Sequence, residues 1–229
     1  MSLALFDSYN IRVRLCSVIL LFAPIIITVI SCFEKFASFT TSSILVGILL
    51  AFSNYIPILQ RRFYKNKFDL KNYAVQFLYF EDPTIDFISK SRFYNKLAKA
   101  DSEFYIFLSP DTSEEFHNAC KSAIAFLKAR TRNSHLVQEE NINYGFCKNL
   151  FVNKVLGIIL SILSLSFVIA YSLITYNDLS FIPLQNYIAM GIDLLFLIFW
   201  KFGINENLLD DSAQIYAQTL ISAIDEIDI

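Results

Sequence analysis

Charge is scarce in this sequence, and it is unevenly spread. Only 17% of the 229 residues are charged, whereas 55% are hydrophobic, and the mean hydropathy is +0.47. A soluble domain of this length cannot bury so much apolar side chain. Four stretches carry at most one charge: residues 15–33, 37–60, 155–177 and 179–200. Each reaches the roughly 20 residues with which an α-helix crosses about 30 Å of hydrocarbon.

Glycine, cysteine and histidine are also sparse. The five glycines are scattered, which excludes a phosphate-binding loop and a dinucleotide fingerprint. The four cysteines lack CxxC spacing, and the two histidines have no metal-ligand spacing with them. We therefore expect no catalytic residues, no cofactor and no metal, and a protein that is not an enzyme.

The apolar stretches predict an all-α membrane protein. We expect four transmembrane helices in two hairpins, a helical cytoplasmic segment and an amphipathic C-terminal helix. The predicted spans lie at about 15–33, 39–60, 155–176 and 181–202. The predicted domains are an N-terminal transmembrane hairpin at 1–60, a cytoplasmic helical segment at 61–150, a C-terminal transmembrane hairpin at 151–203 and an acidic amphipathic cytoplasmic tail at 204–229.

The cations predict the orientation. Eighteen of the 19 Lys and Arg residues fall on one side of this arrangement, and only Lys35 lies in a predicted outer loop. Cations flanking a span are retained in the cytoplasm. We therefore expect a multi-pass protein of the bacterial inner membrane with both termini in the cytoplasm.

A basic cluster follows the second predicted span and is expected to contact the lipid bilayer. It consists of Arg61, Arg62, Lys65, Lys67 and Lys71. Aromatic residues are interleaved with these cations, so a nucleotide or nucleic-acid ligand, bound by stacking and phosphate contacts, is the alternative.

Small and polar residues line one stripe of two predicted spans. On the second span these are Ser43, Gly47, Ala51 and Asn54; on the third they are Gly157, Ser161, Ser164, Ser172 and Thr175. Because lipid offers no hydrophobic force between helices, such residues favour close helix packing. Two interpretations remain open: packing within one chain, and the lining of a polar pore in an oligomer.

Asp193 is the single charged residue in the four apolar stretches 15–33, 37–60, 155–177 and 179–200. It shares a helical face with Asn186 and Ala189. A carboxylate near mid-membrane costs a few kcal/mol and is usually paired or exposed to water. Asp193 is therefore either protonated and hydrogen-bonded to a neighbouring helix, or exposed to a water-filled path.

The cytoplasmic segment and the tail each predict packed helices. Thirteen of the residues in 63–107 are aromatic, which favours a small core, and we expect Ser109-Pro110-Asp111 to open an amphipathic helix that ends near Arg130 and Arg132. The tail has apolar residues at coiled-coil spacing. They are Leu209, Ala213, Tyr216, Leu220, Ala223 and Ile227. This seam is expected to pack on the cytoplasmic segment or on a partner chain, as in a homo-oligomer.

The order of segments, two short-looped hairpins flanking one cytoplasmic segment, resembles that of small multi-span effectors of bacterial anti-phage defence systems, such as those paired with retrons or cyclic-oligonucleotide synthases. The resemblance is architectural, and the stretch 140–150, an amphipathic approach to the third span, is the local feature we add to it. It implies a dormant toxin that disrupts the membrane or forms a pore when it is triggered. The alternatives are an accessory or scaffold subunit of a membrane complex and a small channel or transporter.

Overall fold

A computed structural model describes residues 9–33, 72–176 and 179–226 of the chain. Within these ranges the chain is helical almost throughout and contains no strand. Several predictions fall outside the described residues: the second span, the basic cluster and one tail position. The residues concerned are Ser43, Gly47, Ala51, Asn54, Arg61, Arg62, Lys65, Lys67, Lys71 and Ile227.

Seven α-helices are described. They are α1 (Cys16–Cys32), α2 (Tyr73–Phe77), α3 (Phe87–Ala100), α4 (Glu114–Arg130), α5 (His135–Thr175), α6 (Leu184–Ile198) and α7 (Glu206–Ser222). Two π-helical segments adjoin them: Asn10–Leu15 leads into α1, and Phe199–Gly203 continues α6. Short 3₁₀ segments lie at Ser102–Leu108 and Ala223–Glu226.

Three of these helical stretches are long and apolar enough to cross a membrane: Ile11–Cys32, His135–Thr175 and Leu184–Gly203. The predicted all-helical class and the predicted association with a membrane are confirmed in this form. The predicted start of the third span, at about residue 155, lies inside a helix and not at its first residue. Residues 135–175 contain no proline and form one helix of 41 residues, of which the apolar part is the second half.

The start of α4 differs from the prediction. Ser109-Pro110-Asp111 was expected to open the helix, but Ser113 is its N-cap and accepts a hydrogen bond from the Phe116 N–H (3.1 Å). Asp111 instead accepts from the Ser113 N–H (3.0 Å). Both Asp and Ser are good caps, and the one adjoining the first acidic turn of the helix takes the position.

The described chain divides into two compact units. One contains residues 9–33, 145–176 and 179–208, and we name it the membrane unit. The other contains residues 72–144 and 209–226, and we name it the aromatic-core unit. The second is therefore built from two parts of the sequence that are separated by the third and fourth predicted spans.

The aromatic-core unit is organised around buried rings. Phe107 and Phe116 lie with their ring centroids 5.3 Å apart, and Tyr94 contacts both. The tail helix α7 completes this core: Leu209 and Leu220 are buried, and the Tyr216 ring stacks on Tyr144 at 5.9 Å. Residues outside the predicted seam are buried with them, namely Ala217, Ile221 and Ile224.

Two interhelical hydrogen bonds fix the direction of α5 in the membrane unit. The Asn149 side-chain N–H donates to the Val13 carbonyl (2.9 Å), and Ser164 Oγ donates to Thr28 Oγ1 (2.8 Å), with the same sequence separation of 136 positions. An unchanged separation means that α5 runs parallel to the first helix. By contrast, α6 runs antiparallel to α1.

Candidate functional site

The predicted intramembrane carboxyl lies in a buried hydrogen-bonded chain of three side chains. Asp193, on α6, is 0% exposed. Its Oδ2 accepts a hydrogen bond from Thr28 Oγ1 on α1 (2.8 Å), and Thr28 Oγ1 accepts one from Ser164 Oγ on α5 (2.8 Å). All three helices of the membrane unit therefore meet at this carboxyl. We name Asp193, Thr28 and Ser164 the carboxyl triad.

A second polar layer lies about two helical turns away along α6. Ser31 Oγ donates to Asn186 Oδ1 (2.8 Å), and the Asn186 side-chain N–H donates to Ser172 Oγ (3.1 Å). Gln185 adds a hydrogen bond to the Ser31 carbonyl (3.1 Å). Ser31, Asn186 and Ser172, which we name the amide triad, again belong to α1, α6 and α5 in turn. Each triad thus fastens the same three helices at a different depth.

The two triads are separated by apolar contacts. Cys32, Val168 and Ala189 pack together as a buried cluster, one residue from each of α1, α5 and α6. On α6, Ala189 lies between the amide triad and Asp193 in sequence, and it is almost fully buried. Among the described residues, Val168 on α5 and Ala189 on α6 therefore separate the polar side chains of the two triads.

A third contact, between α5 and the π-helical continuation of α6, lies on the other side of the carboxyl triad from the amide triad. Trp200 is fully buried, and Gly157 on α5 lies directly against its indole ring. A Cβ atom built on Gly157 would lie 2.3 Å from Trp200 Cδ2. Glycine is required here by the close approach of the ring, because any larger residue would collide with it. Ser161, which is also buried, donates to the Gly157 carbonyl (2.8 Å) and so stays within its own helix.

The structure brings together most of the described polar residues that the sequence singled out. Asp193 and Ser164 lie in the carboxyl triad, Asn186 and Ser172 lie in the amide triad, and Gly157 lies beneath Trp200. Thr175 is exposed and takes no part. The predicted stripe on α5 thus faces the other helices up to Ser172 and leaves them in the final turn.

Sequence reasoning missed the partners on α1. Thr28 and Ser31 donate to Asp193 and Asn186 respectively, and neither was singled out. The available signal was their spacing of three residues, which places both hydroxyls on one face of a helix whose other residues are mostly apolar. Trp200 was missed as well, because a stripe of small residues on one helix does not show which side chain lies against it.

A second polar cluster lies in the aromatic-core unit. Lys90 is 2% exposed, and its ammonium donates to the carbonyls of Tyr79 (2.6 Å) and Asp82. The Tyr94 hydroxyl donates to the Leu78 carbonyl (2.6 Å), and the Cys120 thiol contacts the same oxygen at 3.6 Å.

Burial controls the titration of this cluster. It lowers the pKa of Lys90, raises the pKa of Tyr94, and raises the pKa of Cys120 to about 12. Burial therefore holds the phenol and the thiol in their protonated forms at the Leu78 carbonyl, whereas it opposes the charge of the Lys90 ammonium, which the carbonyls of Tyr79 and Asp82 accept from. A protonated thiol is a poor nucleophile, so the cluster stabilises a turn rather than performing chemistry.

Comparisons with protein-family models, with curated proteins and with solved structures found no match. Among the residues that the structure describes, no group of His, Cys, Asp and Glu side chains is placed to hold a metal ion. The carboxyl triad is the candidate site because it combines an ionisable group, full burial and the meeting of three apolar helices.

Proposed function

We propose that this chain is a membrane-permeabilising effector of the anti-phage type, whose membrane unit opens when its aromatic-core unit is triggered. The observation that carries the proposal is the carboxyl triad. A membrane anchor needs no carboxyl group at the meeting point of its helices, and a charged side chain there costs roughly 2.5–3.5 kcal/mol on insertion scales. Intramembrane ionisable groups are characteristic of ion and proton pathways.

The parallel course of the first helix and α5 supports four spans. Two spans that run in the same direction require the chain to return across the membrane between them. Residues 72–144 contain no described helix that is apolar and long enough to do so. The charge-free stretch 37–60 is long enough. We therefore propose it as the returning span, with two hairpins and both termini in the cytoplasm of a bacterial cell.

The conformation described supports a closed resting state. The apolar cluster of Cys32, Val168 and Ala189 interrupts the polar side chains, and Trp200 packs tightly on Gly157. Conduction would require α6 to move away from α1 and α5, so that water reaches the two triads. The hydrogen bonds of Thr28 and Ser31 to α6 would break in the same movement.

The structure of the aromatic-core unit supports the idea that opening of the membrane unit is controlled from outside the bilayer. Within this unit, the tail residues 209–226 pack with residues 72–144. Arg92 forms an ion pair with Asp225 (2.7 Å), and Lys96 donates to the Asp225 carbonyl (2.9 Å). The tail follows α6 directly in sequence. A ligand or partner that displaces the tail from this body would therefore act on the chain immediately after the helix that carries Asp193.

Induced expression in bacteria, followed with a membrane-potential dye, tests the function. We expect depolarisation by the parent, because overproduction multiplies the small open population that exists in equilibrium with the closed state without the trigger. Asp193→Asn and Ser164→Ala should change its extent at equal membrane abundance, because both alter the carboxyl triad. Ser166→Ala is the matched control, since Ser166 lies on the same helix but is exposed. An induced parent that leaves the potential intact would contradict permeabilisation.

Reporter fusions test the topology separately. Alkaline phosphatase is active only after export, so a fusion following residue 229 should be inactive and a fusion within 177–180 should be active. The opposite pattern would reject the proposed orientation, and activity at both sites would reject the four-span arrangement.

An accessory subunit of a membrane complex is the second candidate, and an exposed apolar patch favours it. Phe87 and Ile88 are 68% and 80% exposed at the start of α3, and Phe80 packs edge-on against Phe87 (6.3 Å). Exposed aromatic groups of this kind are common where proteins bind one another. Absence of depolarisation, together with loss of a co-purifying subunit in Phe87→Ser but not in Tyr105→Ser, would favour this function.

A further inference from the structure

Among the described residues, the carboxyl of Asp193 has a hydrogen-bond partner at only one of its two oxygens. Oδ2 accepts the hydrogen bond from Thr28, whereas Oδ1 is fully buried and has no hydrogen-bond partner among the described residues. An ionised carboxylate normally accepts several hydrogen bonds, and each unsatisfied buried oxygen carries a large desolvation cost. The observed surroundings therefore do not suit the ionised form.

The described groups that face Asp193 supply no compensating charge. From α1 these are Thr28 and the Cys32 thiol, and from α5 the facing group is Ser164. No Lys or Arg occurs in residues 15–33, 37–60 or 155–177, so no cation is available at that depth from any predicted span. An ion pair is thus unavailable to offset the cost of burying a carboxylate.

We propose that Asp193 is a proton-binding site within the membrane, protonated in the conformation described and able to release its proton to water when α6 separates from Thr28 and Ser164. Protonation removes the buried charge and leaves at most one neutral hydroxyl without a partner, which is much the smaller cost. On release the O–H bond breaks, the proton passes to water, and the electron pair remains on the carboxylate.

The arrangement of donors explains why the site is able to exchange a proton. The hydrogen bond from Thr28 stabilises the carboxylate more than the acid, and Ser164 orients that hydroxyl by donating to it. The acid is therefore favoured by burial and opposed by the triad. A site balanced in this way responds to small changes in hydration, whereas a carboxyl without donors would hold its proton throughout.

Infrared spectroscopy of the full chain in lipid vesicles tests the proposal without depending on permeabilisation. The C=O stretch of a protonated carboxyl shifts in heavy water and disappears on ionisation. Subtracting the spectrum of Asp193→Asn isolates the signal of Asp193. We expect a band at neutral pH that is lost as the pH is raised further.

Two variants distinguish a balanced site from a merely buried group. Thr28→Val removes the donor to Oδ2, so the midpoint for loss of the band should rise by about one pH unit. Thr28→Ser keeps the hydroxyl and should restore the parental midpoint. Ser166→Ala, on the exposed face of α5, should leave it unchanged.

Three results would overturn the proposal. The absence of the band at every pH above about 4 would mean that the carboxyl is ionised in the ordinary way. A band that persists unchanged at alkaline pH would mean that the proton is never released. Loss of the band on adding sodium chloride at constant pH, with no loss on adding choline chloride, would assign the site to a metal cation. A negative depolarisation assay would leave this assignment unaffected, because the infrared signal reports protonation alone.

Discussion

The aromatic-core unit is joined across its helices by rings, whereas the membrane unit is joined by hydroxyl, amide and carboxyl groups. In the first, Tyr94, Phe107 and Phe116 contact one another in the interior. In the second, side chains such as Ser172 and Asp193 are fully buried, while Ile174 and Leu195 are exposed. The membrane unit therefore combines buried polar side chains between its helices with exposed aliphatic side chains on its outer surface.

The difference follows from the solvent that each unit meets. Water drives aromatic surface into an interior, at roughly 25 cal/mol for each Å² of apolar area removed. Lipid offers no such force, so hydrogen bonds and close contacts between small residues hold helices together. A substitution that places charge in the apolar interior should therefore destabilise the aromatic-core unit. A substitution that enlarges a small residue between helices should destabilise the membrane unit.

The largest effect is expected from Leu220→Asp in the aromatic-core unit. Leu220 is 0% exposed, and a carboxylate at this position has no partner, so we expect a loss of about 4 kcal/mol in the free energy of unfolding of that unit. Limited proteolysis of the full chain in detergent should cleave within 72–144 much faster. Ile215→Asp, on the same helix but 49% exposed, is the control and should cleave at the parental rate. Equal rates for both variants would show that the tail helix is dispensable to the core.

A smaller effect is expected from Gly157→Ala in the membrane unit. The added Cβ would overlap the Trp200 ring, and overpacking of this kind costs about 1–3 kcal/mol. Thermal denaturation in detergent, followed through tryptophan fluorescence, should show a lower midpoint, since Trp200 is the only tryptophan in the chain. Gly191→Ala is the matched control: nothing lies within 4 Å of its added Cβ among the described residues. A parental midpoint in Gly157→Ala would mean that the helices separate there at little cost.

The smallest effect is expected from Lys90→Met, a loss of about 1–2 kcal/mol in the free energy of unfolding at neutral pH. The substitution leaves the carbonyls of Tyr79 and Asp82 without their donor, but it also removes a buried charge. Burial lowers the pKa of Lys90 below its ordinary value of 10.5. Between the folded and unfolded pKa values the unfolded chain therefore binds more protons, so the stability of the parent rises with pH. The gap between parent and variant should widen as the pH approaches 10.5. Chemical denaturation at several pH values measures it.

Lys99→Met provides the control for that pH dependence. Lys99 lies on the same helix, α3, but it is exposed. It should therefore show neither the loss at neutral pH nor the widening gap. An identical pH profile for Lys90→Met and Lys99→Met would show that the buried ammonium contributes nothing specific to the turn.

Hydropathy and helical period predicted the class of the fold and one face of each apolar helix. Asn186, Ala189 and Asp193 were placed on a common face because their spacing of three and four residues matches the helical period. Such periodicity describes one helix at a time. It does not show which helix lies opposite, so the common face of Thr28 and Ser31 did not by itself identify them as the partners of Asp193 and Asn186.

The tail shows a related limit. The heptad spacing predicted a narrow seam containing Leu209, Tyr216 and Leu220, as suits a helix packed against one other helix. In the structure the helix is buried more deeply within the aromatic-core unit, so its buried surface is wider and also includes Ala217 and Ile221. The width of a buried stripe depends on how many elements surround the helix, which the sequence of that helix alone does not specify.

The pairing of α1 with α6 also has a consequence for biosynthesis. Thr28 and Asp193 are separated by 165 positions, and Ser31 and Asn186 by 155. At about 5–20 residues per second, the ribosome needs on the order of ten to thirty seconds to supply the last helix after the first has been made. During this interval the hydroxyls of α1 lack their acceptors on α6, and they are able to donate to carbonyls of their own helix instead, as serine and threonine do in isolated spans. The nascent membrane unit therefore remains incomplete until its last span is inserted.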